Sequence, residues 1–187
     1  GGDSFGSAIN SWATRPMTSQ FDFYNGGGLD VTFLGFAEID PKGNINVSKF
    51  GPKIAGCGGF IDISQCTKKI VFCGTLTAGG LVEEIKDGNL VIVKEGRQKK
   101  FLGEIEQITF SADMVEKFGQ DVLIVTERCV FKYGIEGLTL IEVAPGIDVE
   151  KEIITQMAYK PMISKDQKIM DARIFSEGIM GLKEELK

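Results

Sequence analysis

The 187-residue sequence contains no histidine. This absence excludes Ser-His-Asp and Cys-His triads, histidine general bases and metal sites with histidine ligands, because each of these needs an imidazole. Any acid–base or covalent chemistry in the chain must therefore use carboxylates, lysines or backbone dipoles.

Cysteine is scarce, and its spacing excludes the common metal and redox motifs. The four cysteines are Cys57, Cys66, Cys73 and Cys129. None belongs to a C-x-x-C pair, so there is neither a zinc ribbon nor a thioredoxin motif, and we expect no bound metal. A reducing, cytoplasmic setting explains free cysteines in strand-like surroundings most simply. Cys57 stands in a glycine-rich loop, where it is either a reactive thiol or one more small side chain.

Long apolar runs and clustered basic residues are also lacking. No apolar run approaches the ~18 residues that span a membrane. The net charge is −5, and the basic residues are scattered apart from a short cluster at 97–100. A duplex-binding surface needs a basic face, and membrane-surface binding needs a basic amphipathic helix. We therefore expect neither a nucleic-acid partner nor a membrane partner.

Glycine, in contrast, is concentrated in two short segments. Gly56, Gly58 and Gly59 precede a polar stretch at 62–65 and an apolar run at 70–72, an order typical of a loop, a short helix and a strand. Glycine permits positive φ and a close approach of the backbone to a ligand, so the loop amides could hold an anion or an oxyanion. The alternative is a tight turn that merely joins two elements, since one glycine-rich loop is a weak motif.

The remaining pattern predicts mostly strands. Residues 1–28 suggest irregular structure that ends in a second glycine loop at 25–28. The nearly continuous apolar run at 30–39 predicts a strand covered on both faces. Asp87-Gly88 predicts a two-residue hairpin, and Gly119 a helix end. Asp148 is expected to begin a helix with apolar residues on one face.

Together these segments predict one strand-rich α/β domain over residues 1–187. We expect an open, mixed, largely buried sheet with helices on its faces. Ligands of such sheets bind in crevices at strand ends, so the loops at 25–28 and 56–59 are expected to form one shared site. A structure with the two loops at opposite ends of the sheet would contradict this expectation.

Several ordered motifs resemble one known family over most of the chain, from about Phe5 to Arg173. The family is the family I CoA-transferases, specifically their C-terminal (β) half in the single-chain enzymes that act on short-chain acids and 3-keto acids. The motifs are QFDFYNGGGLD (20–30), FLGFAEID (33–40), GNINVSKFG (43–51), GCGGFIDI (56–63), VFCGT (71–75), IVTERCVF (124–131), GLTLIE (137–142) and APGID (144–148).

The resemblance implies a ping-pong reaction in which coenzyme A is the acyl carrier. The implied ligands are acyl-CoA and short-chain carboxylic acids. A glutamate carboxylate attacks the thioester, and a glutamyl-CoA thioester forms before an incoming acid reverses the steps. Gly56, Gly58 and Gly59 match the family's oxyanion loop. Tyr24 with Gly26, Gly27 and Gly28 is a possible wall of the substrate pocket, and Lys49 and Lys53 are possible CoA contacts or solvated surface lysines.

The sequence departs from the family in one respect. The family's nucleophilic glutamate lies in a Glu-Ser-Gly or Glu-Asn-Gly motif, which is absent here, and residues 1–6 resemble the segment just downstream of it. We therefore expect no catalytic nucleophile in this chain, and expect its own N-terminal half as a partner within a dimer or tetramer. Glu38 and Glu127 follow buried strands, but each is more readily explained as a capping or solvated carboxylate.

Two other functions are compatible with the same scaffold, since one fold hosts many chemistries. The chain could be a non-catalytic binding or assembly domain, which would not bind CoA. It could also be a relative of the sugar-phosphate isomerases, which would respond to sugar phosphates.

The missing nucleophile leads to a direct prediction. The purified 187-residue chain should show no CoA transfer from acetyl-CoA to a short-chain acid, because the covalent step has no carboxylate to begin it. Transfer is measured as acyl-CoA formed over time, and a rate above that of the buffer would show that a carboxylate within the chain is the nucleophile.

Overall fold

The computed structural model describes residues 8–186, and strands dominate that part of the chain. The strands are β1 (Val31–Gly35), β2 (Glu38–Ile39), β3 (Ile45–Asn46), β4 (Lys49–Phe50), β5 (Lys53–Ile54), β6 (Lys69–Cys73), β7 (Thr77–Ala78), β8 (Val82–Lys86), β9 (Asn89–Lys94), β10 (Gln98–Lys99), β11 (Asp121–Val125), β12 (Cys129–Gly134), β13 (Gly137–Val143) and β14 (Met162–Ile169). The α-helices are α1 (Met17–Asn25), α2 (Phe60–Gln65), α3 (Asp113–Phe118) and α4 (Leu182–Glu185). A π-helical turn spans Val149–Ile153, and 3₁₀ turns span Ile154–Gln156 and Ala172–Phe175.

Six strands form one mixed sheet in the order β1-β6-β11-β12-β13-β14. β1, β6 and β11 are parallel, β12 is antiparallel to both of its neighbours, and β14 is parallel to β13. The other strands pair as small antiparallel ribbons, β2/β3, β4/β5, β7/β10 and β8/β9. The predicted open, mixed, strand-rich α/β architecture is confirmed.

One face of the sheet carries the main core. The buried side chains of β6 and β11 alternate along the strands, as expected where one face is packed, and helices α2 and α3 add Phe60 and Val115 to the same cluster. Phe72 stacks on Phe60 with ring centroids 5.8 Å apart and meets Phe110 edge-on at 5.1 Å. Aromatic packing of this kind fixes the short helices against the sheet.

The opposite face is covered only in part. A smaller cluster that includes Leu90, Val130 and Phe175 packs there. On β1, in contrast, Phe33 is 68% exposed. The expectation that the 30–39 strand is covered on both faces is therefore wrong for the described part of the chain, because β1 is an edge strand and no described segment lies over Phe33.

Local turn chemistry agrees with the predictions, whereas α1 was missed. Asp87 and Gly88 both have positive φ, as the predicted tight hairpin requires. Gly119 ends α3 in the left-handed conformation, and the Asp148 side chain accepts the Lys151 amide at the start of the π-helical turn. Residues 17–25 form a helix where irregular structure was predicted, and none of its residues is fully buried.

Within residues 8–186, no helix is both long enough and apolar enough to cross a membrane.

A fully buried arginine ties the carboxyl ends of the parallel strands to three loops. Arg128 is 0% exposed. Its Nε donates to Glu127 at 2.6 Å, and its Nη1 donates to Glu95 at 2.8 Å and to the carbonyl of Glu152 at 2.8 Å. Glu127 in turn accepts the amide of Leu76 at 2.9 Å. Although burial acts to raise it, the pKa of Glu95 is lowered by hydrogen bonds from Arg128 and Thr77.

Arg128→Met should therefore destabilise the fold strongly. It leaves Glu95 and Glu127 without their cationic partner, and breaking a buried ion pair costs about 3–5 kcal/mol. Urea denaturation measures the loss, and Arg15→Met, at an exposed position, is the matched control. Equal unfolding midpoints for the two variants would show that the buried network adds no stability.

Candidate functional site

The glycine loop lies at the edge of the sheet where the parallel strands end. Gly35, Cys73 and Val125 are paired in register at the carboxyl ends of β1, β6 and β11. The chain leaves β1 at this edge and reaches α2, which then leads back to the start of β6. The loop at 55–59 immediately precedes α2, which places it on the ligand-binding side expected for such sheets.

The loop needs glycine for its backbone conformation. Gly56 and Gly58 have φ of 78° and 52°, a region that costs other residues roughly 1–2 kcal/mol. Gly59 precedes α2, and a Cβ built on it would lie 2.8 Å from the ring of Phe21. Glycine is therefore required at Gly56 and Gly58 by the backbone conformation, and at Gly59 by the close packing of Phe21.

Three consecutive amides of the loop are available to a ligand. The amides of Ala55 and Gly56 donate to the Ser48 carbonyl at 2.9 and 3.0 Å. For the amides of Cys57, Gly58 and Gly59, residues 8–186 supply no acceptor within hydrogen-bond distance. Adjacent amides without a partner can act as donors to an anion or a developing oxyanion.

A cavity of about 190 Å³ adjoins the loop. It is lined by Ser48, Ile54, Gly56, Cys57, Ile61, Gln107, Ile108 and Thr109. The hydroxyls of Ser48 and Thr109 lie 2.8 Å apart, and the Ser48 carbonyl fixes the loop. Ser48 belongs to the 43–51 motif and Thr109 to none, and their pairing could not be predicted because they lie 61 residues apart in the chain.

The second glycine segment reaches the first through helix α1. Asn25 donates to the Asp62 carboxylate on α2 at 2.9 Å. Tyr24 packs edge-on against Phe21 at 5.7 Å, and Phe21 in turn lies against Gly59. No measured contact joins Gly26, Gly27 or Gly28 to the loop at 55–59, so a shared site, with Tyr24 as a pocket wall, stays a prediction. Phe23, on the same helix, is 48% exposed.

The two predicted CoA-contacting lysines occupy the β4/β5 ribbon. Lys49 pairs with the Glu106 carboxylate at 2.6 Å, and this hydrogen bond, with one from the Gly51 amide, lowers the pKa of Glu106. Lys53 is exposed. Lys49 is therefore engaged within the chain and Lys53 faces solvent, while their contact with CoA stays a prediction.

The two glutamates considered as nucleophiles are held by other residues. Glu127 binds Arg128 and the Leu76 amide, and Glu38 accepts from Asn46 at 2.7 Å. These contacts support a structural role for both carboxylates. The segment at 1–6, compared above with the region downstream of the nucleophile, lies outside the described residues.

Residues 8–186 contain no group of three or more histidine, cysteine, aspartate or glutamate side chains arranged to hold a metal ion.

The curated relatives of the chain are CoA-transferases. No protein-family model matches it. It is 55% identical over 180 residues to the acetate CoA-transferase YdiF of Escherichia coli (strain K12), and 52% identical over 184 residues to the caffeate CoA-transferase of Acetobacterium woodii. Each alignment covers 96% of this chain but only 34% and 35% of the respective relative. The chain thus spans about a third of the length of the curated relatives that it matches.

Two solved structures of a CoA-transferase are also similar to the chain. The apoenzyme of the acyl-CoA transferase YdiF from Escherichia coli O157:H7 matches with a TM-score of 0.91 at 55% identity, over 94% of this chain and 34% of that chain. The thioester complex of YdiF with CoA matches with a TM-score of 0.90 over 92% of this chain and 34% of that chain. The chain is therefore a homologue of one third of a CoA-transferase, and the family resemblance of its sequence is confirmed.

The environments of the cysteines predict a large difference in thiol reactivity. Cys57 and Cys73 are exposed and Cys129 is buried. Burial raises the pKa of Cys129 to about 12, so its thiolate is scarce at neutral pH and sterically protected. Iodoacetamide labelling followed by mass spectrometry should modify Cys57 within minutes and leave Cys129 unmodified until the chain is denatured. Equal labelling of Cys57 and Cys129 in the folded protein would contradict the buried position of Cys129.

Proposed function

We propose that this chain is the C-terminal (β) part of an acyl-CoA:carboxylate CoA-transferase that acts on short-chain or 3-keto acids. The observation that carries the proposal is the loop at 55–59, with three available amides beside a small cavity, in a chain 55% identical to acetate CoA-transferase YdiF. The relatives named for acetate and caffeate both act on carboxylic acids, and the proposed cofactor role of CoA follows from the same comparison.

In the proposed mechanism, the loop stabilises negative charge that develops on the thioester oxygen. A glutamate carboxylate from sequence beyond this chain attacks the thioester carbonyl carbon, and the oxygen becomes an oxyanion facing the amides of Gly58 and Gly59. The C–S bond breaks, CoA thiolate leaves and an acyl-glutamyl anhydride remains. The thiolate then attacks the glutamyl carbonyl, releasing the first acid and leaving a glutamyl-CoA thioester for the second acid. Removing one donor from such a site costs about 10²–10³ in kcat.

The cavity beside the loop is proposed to hold the acyl group. Its volume of about 190 Å³ and the side chains of Ile54, Ile61 and Ile108 suit a small apolar acyl chain. Pocket contacts of this kind discriminate by only about 1–3 kcal/mol per methylene, so they favour a size class of acid over one particular acid.

The exposed face of β1 is proposed to pack against the N-terminal half of the same protein. Phe33 and Val31 are 68% and 45% exposed on an edge strand, and an apolar sheet face of this kind marks an interaction surface. The relatives are about three times as long as this chain. In the proposal, the additional length includes the segment that covers this face of β1. We expect the complete protein to be a cytoplasmic homo-oligomer. Analytical ultracentrifugation of the complete protein measures its oligomeric state.

A chimera tests the proposed function. This chain replaces the matching third of Escherichia coli YdiF, and acetate CoA-transferase activity is measured. The chimera should be active, and Gly58→Ala should lower kcat by about tenfold or more because it displaces an oxyanion donor. Phe33→Asp should also lower activity, by weakening the contact with the N-terminal part.

Gly119→Ala is the matched control for Gly58→Ala. Gly119 also has positive φ, and a Cβ there would likewise contact nothing within 4 Å, so it imposes similar backbone strain away from the loop. Equal kcat values for the two variants would refute the oxyanion role of the loop, and a folded but inactive chimera would refute the proposed activity.

A further inference from the structure

The glycine loop depends on a segment that is distant from it in the sequence. Residues 106–112, which we call the strap, lie beside residues 44–51 and are hydrogen-bonded to them. Phe110 and Ile45 exchange two main-chain hydrogen bonds of 3.0 Å. Two further hydrogen bonds lie at the ends of the strap, from the Ala112 amide to the Asn44 side chain at 2.8 Å and from the Gly51 amide to the Glu106 carboxylate at 2.5 Å.

Thr109 lies in the middle of the strap, and its hydroxyl makes two contacts with residues 47 and 48. The hydroxyl lies 2.8 Å from the hydroxyl of Ser48 and accepts the amide of Val47 at 3.2 Å. Thr109 and Ser48 are 9% and 4% exposed, so water competes little for these hydrogen bonds. The hydroxyl of Thr109 therefore fixes the main chain at Ser48.

The main chain at Ser48 in turn holds the start of the glycine loop. The single carbonyl oxygen of Ser48 accepts the amides of both Ala55 and Gly56, at 2.9 and 3.0 Å. The next three amides along the chain, those of residues 57–59, are the donors assigned above to the developing oxyanion. Because these donors directly follow the two tethered amides, a displacement of the Ser48 carbonyl is passed on to them.

Replacement of Thr109 by valine would remove the hydroxyl and keep a branched side chain. The Val47 amide and the Ser48 hydroxyl would then lose their hydrogen-bond partner, and a buried polar group without a partner is costly. The main chain at 47–48 would shift to relieve that cost. The Asn46 side chain also accepts the Ser48 amide, at 3.0 Å, so the turn itself should persist and the variant should fold.

We propose that Thr109 is a positioning residue for the proposed oxyanion loop, which it holds in place through Ser48. An oxyanion donor acts over a narrow range of distance, about 2.7–3.1 Å, so a small displacement of the loop lowers the rate. The chemical consequence rests on the proposed transferase function, whereas the contacts from Thr109 through Ser48 to the loop do not. Thr109 also lines the cavity proposed for the acyl group, and direct contact with the substrate would act on KM instead.

Hydrogen exchange of the 187-residue chain, followed by NMR, tests the positioning without any enzyme assay. In Thr109→Val, the amides of Ala55 and Gly56 should exchange about tenfold faster, because the carbonyl that protects them is held less firmly. Thr109→Ser keeps the hydroxyl and should restore slow exchange. Circular dichroism establishes that each variant is folded.

Thr126→Val is the matched control for the exchange measurement. Thr126 is also buried, and its hydroxyl also accepts a main-chain amide, at 2.9 Å. The control should leave the exchange of the Ala55 and Gly56 amides unchanged. Equal exchange of these two amides in the wild type and Thr109→Val would overturn the proposal.

The YdiF chimera tests the consequence for the reaction. Thr109→Val should lower kcat by about tenfold and leave KM unchanged, because contacts to an oxyanion form only in the transition state. Thr109→Ser should restore kcat. A raised KM with unchanged kcat would place Thr109 in substrate binding and overturn the positioning role, as would a kcat equal to that of the wild type. An inactive chimera refutes the proposed function, while amide exchange still decides whether Thr109 fixes the loop.

Discussion

The buried guanidinium of Arg128 is the constraint on which this end of the molecule depends. A charge removed from water is costly unless it is paired and hydrogen-bonded, and here the acceptors come from the end of β9, the turn after β11 and the π-helical turn. Glu127 extends the network to the Leu76 amide beyond β6. The positions of these loops are therefore set by hydrogen-bond geometry, to which apolar packing is added.

Two chemically different cavities share the edge that this network organises. One offers neutral backbone amides in a loop of positive-φ glycines, which suits charge that appears only during a reaction. The other is a cavity of about 510 Å³ with Lys100 in its wall, where the ammonium group lies 3.7 Å from the centroid of the Phe36 ring. The four residues of the β4/β5 ribbon separate the two cavities, one lined by neutral donors and the other by a charged one.

The sequence predicted those parts whose causes are local. Local sequence predicts the backbone conformations of three features. These are the Asp87-Gly88 turn, the helix end at Gly119 and the glycine loop. The sheet class followed from the apolar runs, but the exposure of Phe33 did not, because an edge strand and a central strand share the same composition. The burial of Lys100, which is 8% exposed, could not be predicted from its basic cluster, because it is decided by Phe36 and Gly74, which are distant in sequence.

The Arg128 network also bears on the order in which the chain folds. The hydrogen bonds of Arg128 to Glu95 and Glu152 join residues 33 and 24 positions apart in the sequence. The hydrogen bond from the Leu76 amide to Glu127 spans 51 positions. Loop-closure entropy opposes each of these contacts until the parallel strands have paired, and non-local pairing is slow. The edge that carries both cavities is therefore expected to form after the β8/β9 and β12/β13 hairpins. A slow step in refolding would then be the step in which the sites themselves assemble.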